Sequence, residues 1–155
     1  MRDPAIRPGT LVPPPLVYAI VLVIAWWLEA RWSLGFEPGQ SGGAVGWGLI
    51  AVGLAGLTWA LAAIWSHHTT VNPYKAASNL VTRGPYAHSR NPIYVSDWCV
   101  YLGVTLLLGT AWPLVLAPLV WLVMRHGVIA HEEAHLLAKF GDEYRVYRAR
   151  VRRWL

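Results

Sequence analysis

Apolar residues in this chain come in long blocks, without the short periodic runs of a water-soluble fold. Residues 11–28 and 44–65 carry no charged side chain, and 93–124 carry one, Asp97. A membrane-spanning helix needs about 20 predominantly apolar residues. The first two blocks each supply one such helix. The third is long enough for two shorter ones, divided at Gly109-Thr110-Ala111-Trp112-Pro113, where glycine permits a reversal and proline suits the first turn of the next helix. Residues 67–92 are too polar to span and contain Asn72-Pro73, Gly84-Pro85 and Asn91-Pro92, each of which disfavours helix at the residue before proline. They predict an irregular connector with one helical turn near residues 75–79. From 130 onward Glu133, Leu137, Phe140, Tyr144 and Tyr147 share one helical face, while Gly141-Asp142 predicts a break with Asp142 capping a second piece.

The expected architecture is an all-α integral membrane domain over 1–155. It comprises two N-terminal transmembrane helices (1–66), a cytoplasmic connector (67–92), a transmembrane hairpin (93–130) and an amphipathic C-terminal helix (131–155) closing a polar pocket. Composition agrees: 55% of residues are hydrophobic and 14% are charged, little more than half the charge of an average soluble domain. With the N-terminus inside, twelve of the thirteen Lys and Arg lie on the cytoplasmic side and Arg31 alone lies outside. The net charge of +5 then reads as a topological signal facing anionic headgroups, with no nucleic-acid partner implied. The expected location is a bacterial inner membrane, with both termini and the active site cytoplasmic.

Several features read as structural. Gly42, Gly46, Gly53 and Gly56, continued by Ala60 and Ala63, give the second helix a small-residue surface for close helix contact in lipid. Trp26, Trp27, Trp32, Trp65 and Trp112 stand at helix ends and suit interface anchoring. Residues 29–32 offer no small-x-small cleavage site, so the first helix is expected to be retained. Cys99 is the single cysteine, a small buried apolar residue. His131 and His135 stand at i and i+4, yet no metal site is expected from the histidines.

The chemistry is concentrated in two polar runs at helix ends. The first holds Arg83-Gly84-Pro85-Tyr86-Ala87-His88-Ser89-Arg90-Asn91-Pro92-Ile93-Tyr94, and the second opens with Glu132-Glu133. Ionisable groups near membrane depth are costly and mark function by default. Adjacent acids point in different directions on a helix, so one of the two is expected to face a ligand. Asp97, one turn beyond Pro92, should pair with Arg90 or Arg125 or line an entrance.

Val81-Thr82-x-Gly84-Pro85-Tyr86 leading to Arg90-Asn91-Pro92-x-Tyr94, then Glu132-Glu133-x-x-Leu136-x-x-x-Phe140-Gly141-x-x-Tyr144-x-x-Tyr147 and Arg150-Val151-Arg152-Arg153-Trp154, resembles the isoprenylcysteine carboxyl methyltransferase family. That family shares its pattern with membrane phospholipid methyltransferases. The resemblance covers roughly 67–155, with Asn91 where the family more often has His, as in short bacterial members. It implies a membrane enzyme using S-adenosylmethionine, enclosed by Leu80, Val81, Gly84, Pro85, Tyr86, His88, Asn91, Pro92, Tyr94, Glu132, Glu133 and Leu136. Arg90, His88 and Asp97 are the candidate catalytic residues. Tyr86, Tyr94 and Leu136 could form a slot for the adenine, Glu132 or Glu133 could bind the ammonium or ribose, and His88 or Arg90 the carboxylate. A carboxylate acceptor needs no general base, whereas a thiol or amine would need one, with His88 or Glu133 nearest.

The expected acceptor is lipophilic or small: a prenylcysteine-like carboxylate, a lipid amine or a thiol, reached from the bilayer. Two other classes compete. A nicotinamide-dependent membrane reductase of the sterol-reductase type needs a larger chain. A small four-helix exporter would place an acid in mid-membrane in its first helix, and no acid follows Asp3 before Glu29.

Overall fold

The computed structural model describes residues 13–67 and 78–155. Within them the order is α1 (Pro14–Glu29), α2 (Gly42–Ser66), a short 3-10 turn (Gly84–Ala87), α3 (Pro92–Leu108), α4 (Trp112–Val123), a π-helical stretch (Met124–Ile129) and α5 (Ala130–Arg150). All named elements are helical, as expected for an all-α membrane fold. The starts follow from proline: Pro14, Pro92 and Pro113 each stand in the first turn, where no backbone donor is needed. Gly109 ends α3 with a positive φ of 62°, a conformation favouring glycine, and it sits where the reversal between α3 and α4 was expected. Most of the helical turn expected near 75–79 lies outside the described residues.

Helix α2 packs along α3 by bringing backbones together. A Cβ on Gly103 would meet the Gly46 carbonyl at 2.6 Å, and one on Gly53 would meet the Ser96 carbonyl at 2.7 Å. Small residues are therefore what this contact requires. The buried core joins Val17, Tyr18 and Val21 of α1 to Tyr94 and Tyr101 of α3, and to Val120, Met124, Val128 and Ile129. Outward faces are apolar too: Trp47, Val52 and Leu54 on α2, and Leu114, Val115 and Leu119 on α4, are exposed. Such surfaces suit lipid far better than water.

Gly42–Ser66 and the helical stretch Trp112–Arg150 are long and apolar enough to cross a membrane, while Pro14–Glu29 and Pro92–Leu108 are shorter apolar helices. From Trp112 to the kink at Gly141 the helix rises about 43 Å, against a hydrocarbon core of about 30 Å. Its apolar first half ends near Ile129, and α5 continues beyond. Helix α5 starts at Ala130, where the apolar sequence gives way to charged residues. Amphipathicity changes there, but no proline or glycine interrupts the backbone ladder, so the helix runs on. The break expected at Gly141 is present as a kink (φ 51°, ψ −119°). Asp142 does not cap the second piece, since its carboxylate accepts a hydrogen bond from Arg145 at 2.8 Å on the exposed surface.

At the end of the bundle away from the polar runs, Glu29 ties two loops together. Its carboxylate accepts hydrogen bonds from Ser33 Oγ (2.5 Å), Leu34 N (2.9 Å) and Thr110 Oγ1 (2.6 Å). The backbones of 34–36 and 109–111 pair beside it, with Phe36 N to Gly109 O at 2.9 Å and Ala111 N to Leu34 O at 3.0 Å.

Candidate active site

Three stretches distant in sequence converge at the other end: the 3-10 turn running through 88–91 into the first turn of α3, the start of α5, and the C-terminal 151–155. Gly84 opens the turn at φ 63°, where an L side chain would be strained, and Pro85 sets the next residue. His88 N and Ser89 N both donate to Pro85 O at 3.2 Å. The C-terminal segment is stitched on by Arg90 N to Arg152 O (3.0 Å), Asn91 Nδ2 to Arg153 O (2.9 Å) and Ser89 Oγ to Arg153 O (3.3 Å). Tyr147 Oη donates to Tyr86 O at 2.8 Å, fastening α5 over the turn.

The acid pair divides. Adjacent residues on a helix diverge by about 100°, and each carboxylate finds a different partner. Tyr94 Oη donates to Glu132 Oε1 at 2.7 Å. Glu133 receives the fork of Arg153, Nη2 to Oε2 at 2.6 Å and Nε to Oε1 at 3.0 Å, with Arg90 Nη1 3.3 Å from the same Oε1. Burial pushes the Glu132 carboxyl up to about 7; the Tyr94 hydrogen bond opposes this and the charge of Glu133 adds to it. Burial, then the neighbouring charge of Glu132, also holds the Tyr86 phenol well above its usual range.

Arg90 is the centre of the arrangement. Its side chain is 10% exposed, and its buried Nε and Nη1 have no hydrogen-bond partner. A buried guanidinium with idle donors is costly unless something anionic takes them. A second pair of idle polar atoms lies in the neighbouring wall, Asp97 Oδ2 and Tyr18 Oη, both buried. Tyr18 packs on Trp98 and Tyr101, one and four positions beyond Asp97 on α3, with ring centres at 5.9 Å. The ion pair expected of Asp97 is absent among the described residues: Arg90 turns to Glu133, and Arg125 stacks on Trp121 at 4.8 Å.

The other expected site residues divide. Tyr86, Tyr94, Arg90, Glu132 and Glu133 come together. Val81, Pro85, Asn91 and Pro92 are buried around them, Leu80 and Leu136 are half-buried, and Gly84 sits beside Trp59. Asn91 spends its amide donor on the C-terminal segment. His88 is exposed, with its ring 6.5 Å from Trp59, and makes no contact with the Arg90–Glu133 group. On α5 the deeply buried face is His135, Tyr144 and Tyr147, whereas Leu137 is only half-buried, because the kink at Gly141 resets the helical phase. The run His131-Glu132-Glu133-Ala134-His135 has the H-E-x-x-H spacing of zinc proteases. Here, however, Glu132 holds Tyr94, and no three His, Cys, Asp or Glu among the described residues are grouped to hold a metal. Tyr18 and Arg153 were not expected at the site. A tyrosine in an otherwise apolar helix was the available signal for the first, and nothing local distinguishes Arg153 from its basic neighbours.

A family model described as phospholipid methyltransferase matches residues 42–143. The chain is also similar to an uncharacterized protein of Haemophilus influenzae, 43% identical over 63 residues, which is 41% of this chain and all of that one. It is similar to the protein-S-isoprenylcysteine O-methyltransferase of Schizosaccharomyces pombe, 42% identical over 72 residues, covering 46% of this chain and 30% of that enzyme. No solved structure matches.

Proposed function

The chain belongs to the phospholipid methyltransferase family, and from that premise we propose that it is a membrane methyltransferase using S-adenosylmethionine, with a lipophilic or small acceptor. The observation that carries the reading is the buried guanidinium of Arg90 with two idle donors, set against Glu133, whose neighbour Glu132 pairs with Tyr94 and with no basic side chain among the described residues. An amino-acid zwitterion matches these groups: its carboxylate suits the fork of Arg90 and its ammonium suits Glu132. Tyr86 and Tyr94, with Leu136 one turn from Glu132, supply an aromatic and apolar wall for a nucleoside.

When bound, the cofactor supplies an electrophilic methyl group. The chain's own residues hold and align it, exclude water through the C-terminal segment and α5, and bring the acceptor in. Orientation of this kind accounts for a large share of the rate in an in-line displacement. Asp97 and Tyr18 line the apolar side, where an acceptor could enter from lipid with its polar end inward. An amine or thiol acceptor would give its proton to Asp97, whereas a carboxylate would need no base. A prenylcysteine-like carboxylate, a lipid amine and a thiol are the acceptor classes proposed. The proposed location is a bacterial inner membrane, with the site and both termini on the cytoplasmic side.

Calorimetric titration of S-adenosylmethionine and S-adenosylhomocysteine into detergent-purified protein tests the reading. Arg90→Ala and Glu132→Gln should each weaken binding roughly 10- to 100-fold, the worth of a hydrogen bond to a charged group. Folded wild-type protein that binds neither ligand would overturn it.

A further inference from the structure

Arg90 and Arg153 compete for one carboxylate, and Arg153 holds it. Glu133 has two oxygens, and both are engaged by the Arg153 fork at 2.6 and 3.0 Å. Arg90 approaches one of the same oxygens only at 3.3 Å, and its Nη1 and Nε complete no hydrogen bond. Two guanidinium groups against one acid leave this cluster with a surplus positive charge. That surplus is localised on Arg90, the more buried of the two, at 10% side-chain exposure against 31% for Arg153.

We infer that Arg153 is a positioning residue that keeps Glu133 from closing onto Arg90 and so preserves Arg90 as a receptor for the cofactor carboxylate. The inference rests on the cofactor reading above. Without Arg153, the fork that draws Glu133 away from Arg90 is gone. The bidentate geometry that suits arginine and carboxylate would then form between Glu133 and Arg90, and an incoming carboxylate would meet a neutralised site. Arg153 lies beyond the stretch matched by the family model, which ends at residue 143. The C-terminal segment does not depend on the Arg153 side chain for its place, because Asn91 and Ser89 bind the backbone carbonyl of Arg153.

The test compares wild type, Arg153→Gln and the double variant Glu133→Gln/Arg153→Gln, full-length in detergent. Each is titrated with S-adenosylmethionine and with decarboxylated S-adenosylmethionine. Arg153→Gln should weaken S-adenosylmethionine roughly ten-fold or more, the scale of one lost charge-assisted hydrogen bond, and leave the decarboxylated ligand unchanged. Removing the competing acid in the double variant should recover most of the loss. If Arg153 only fastens α5 to the C-terminal segment, both ligands weaken together and the double variant recovers nothing, which would overturn the inference. Wild-type protein that binds neither ligand would remove the cofactor reading, and this inference with it.

Discussion

Tyr94 and Glu132, 38 residues apart, share a hydrogen bond of 2.7 Å that joins the first turn of α3 to the start of α5. It links the two polar runs of the sequence directly, and it is the contact through which burial of an acid at this helix junction becomes tolerable.

The Glu132 carboxyl stands at about 7 in the folded chain, against an ordinary 4.5, because burial disfavours its charge. Between those values the folded protein keeps a proton that the unfolded chain has lost. The stability linked to that proton is complete below the ordinary value and is lost as pH rises through about 7. Wild type should therefore lose more stability than Glu132→Gln between about pH 5 and pH 8, read as the difference in their melting temperatures in detergent. Tyr94→Phe removes a donor from the ionised form and should cost about 1–3 kcal/mol, chiefly above neutral pH. Equal pH profiles for all three proteins would contradict the assignment of this titration to Glu132.

The α2–α3 contact should tolerate almost no added volume. Gly103→Ala places a methyl group 2.6 Å from the Gly46 carbonyl and 2.7 Å from Ile50 Cγ1. The helices must separate, at a cost of about 1–3 kcal/mol. Gly48→Ala is the control, because nothing lies within 4 Å of its added Cβ, and the helix should gain up to about 1 kcal/mol from its better propensity. Thermal unfolding of the two variants should therefore shift in opposite directions.

The π-helical stretch Met124–Ile129 sets the phase at which α5 leaves the membrane. A π segment holds one residue more than the α register it replaces, so deleting Gly127 alone should return this stretch to α-helix with the phase of α5 kept, whereas deleting His126 and Gly127 together should turn α5 by about 100° against α3. Glu132 would then lose Tyr94, and Glu133 would lose Arg90. Helix content by circular dichroism should be unchanged while S-adenosylmethionine binding disappears in the double deletion. Retained binding would mean that the site does not depend on this register.

Much of this protein is legible in its linear pattern, for a definite reason. In lipid every backbone polar group must be satisfied within its own helix, so blocks of apolar residues, punctuated by Pro92, Gly109 and Pro113, translate directly into helices and their ends. The association of residues 84–94 with Glu132 and Glu133 was legible too, because acids and bases collect at helix ends only where something polar is held. Tertiary structure alone decided how the charges are shared. Helical geometry required Glu132 and Glu133 to face apart, but which way each faced depended on the phase carried through the π stretch. That phase gave Glu132 to Tyr94 and Glu133 to Arg153, a residue 20 positions later. It left Arg90 with idle donors, and it left Asp97 beside Tyr18 without the ion pair that sequence proximity implied. Apolar pattern is a property of each segment by itself, whereas the pairing of buried charges is a competition among segments, settled only when all of them are packed.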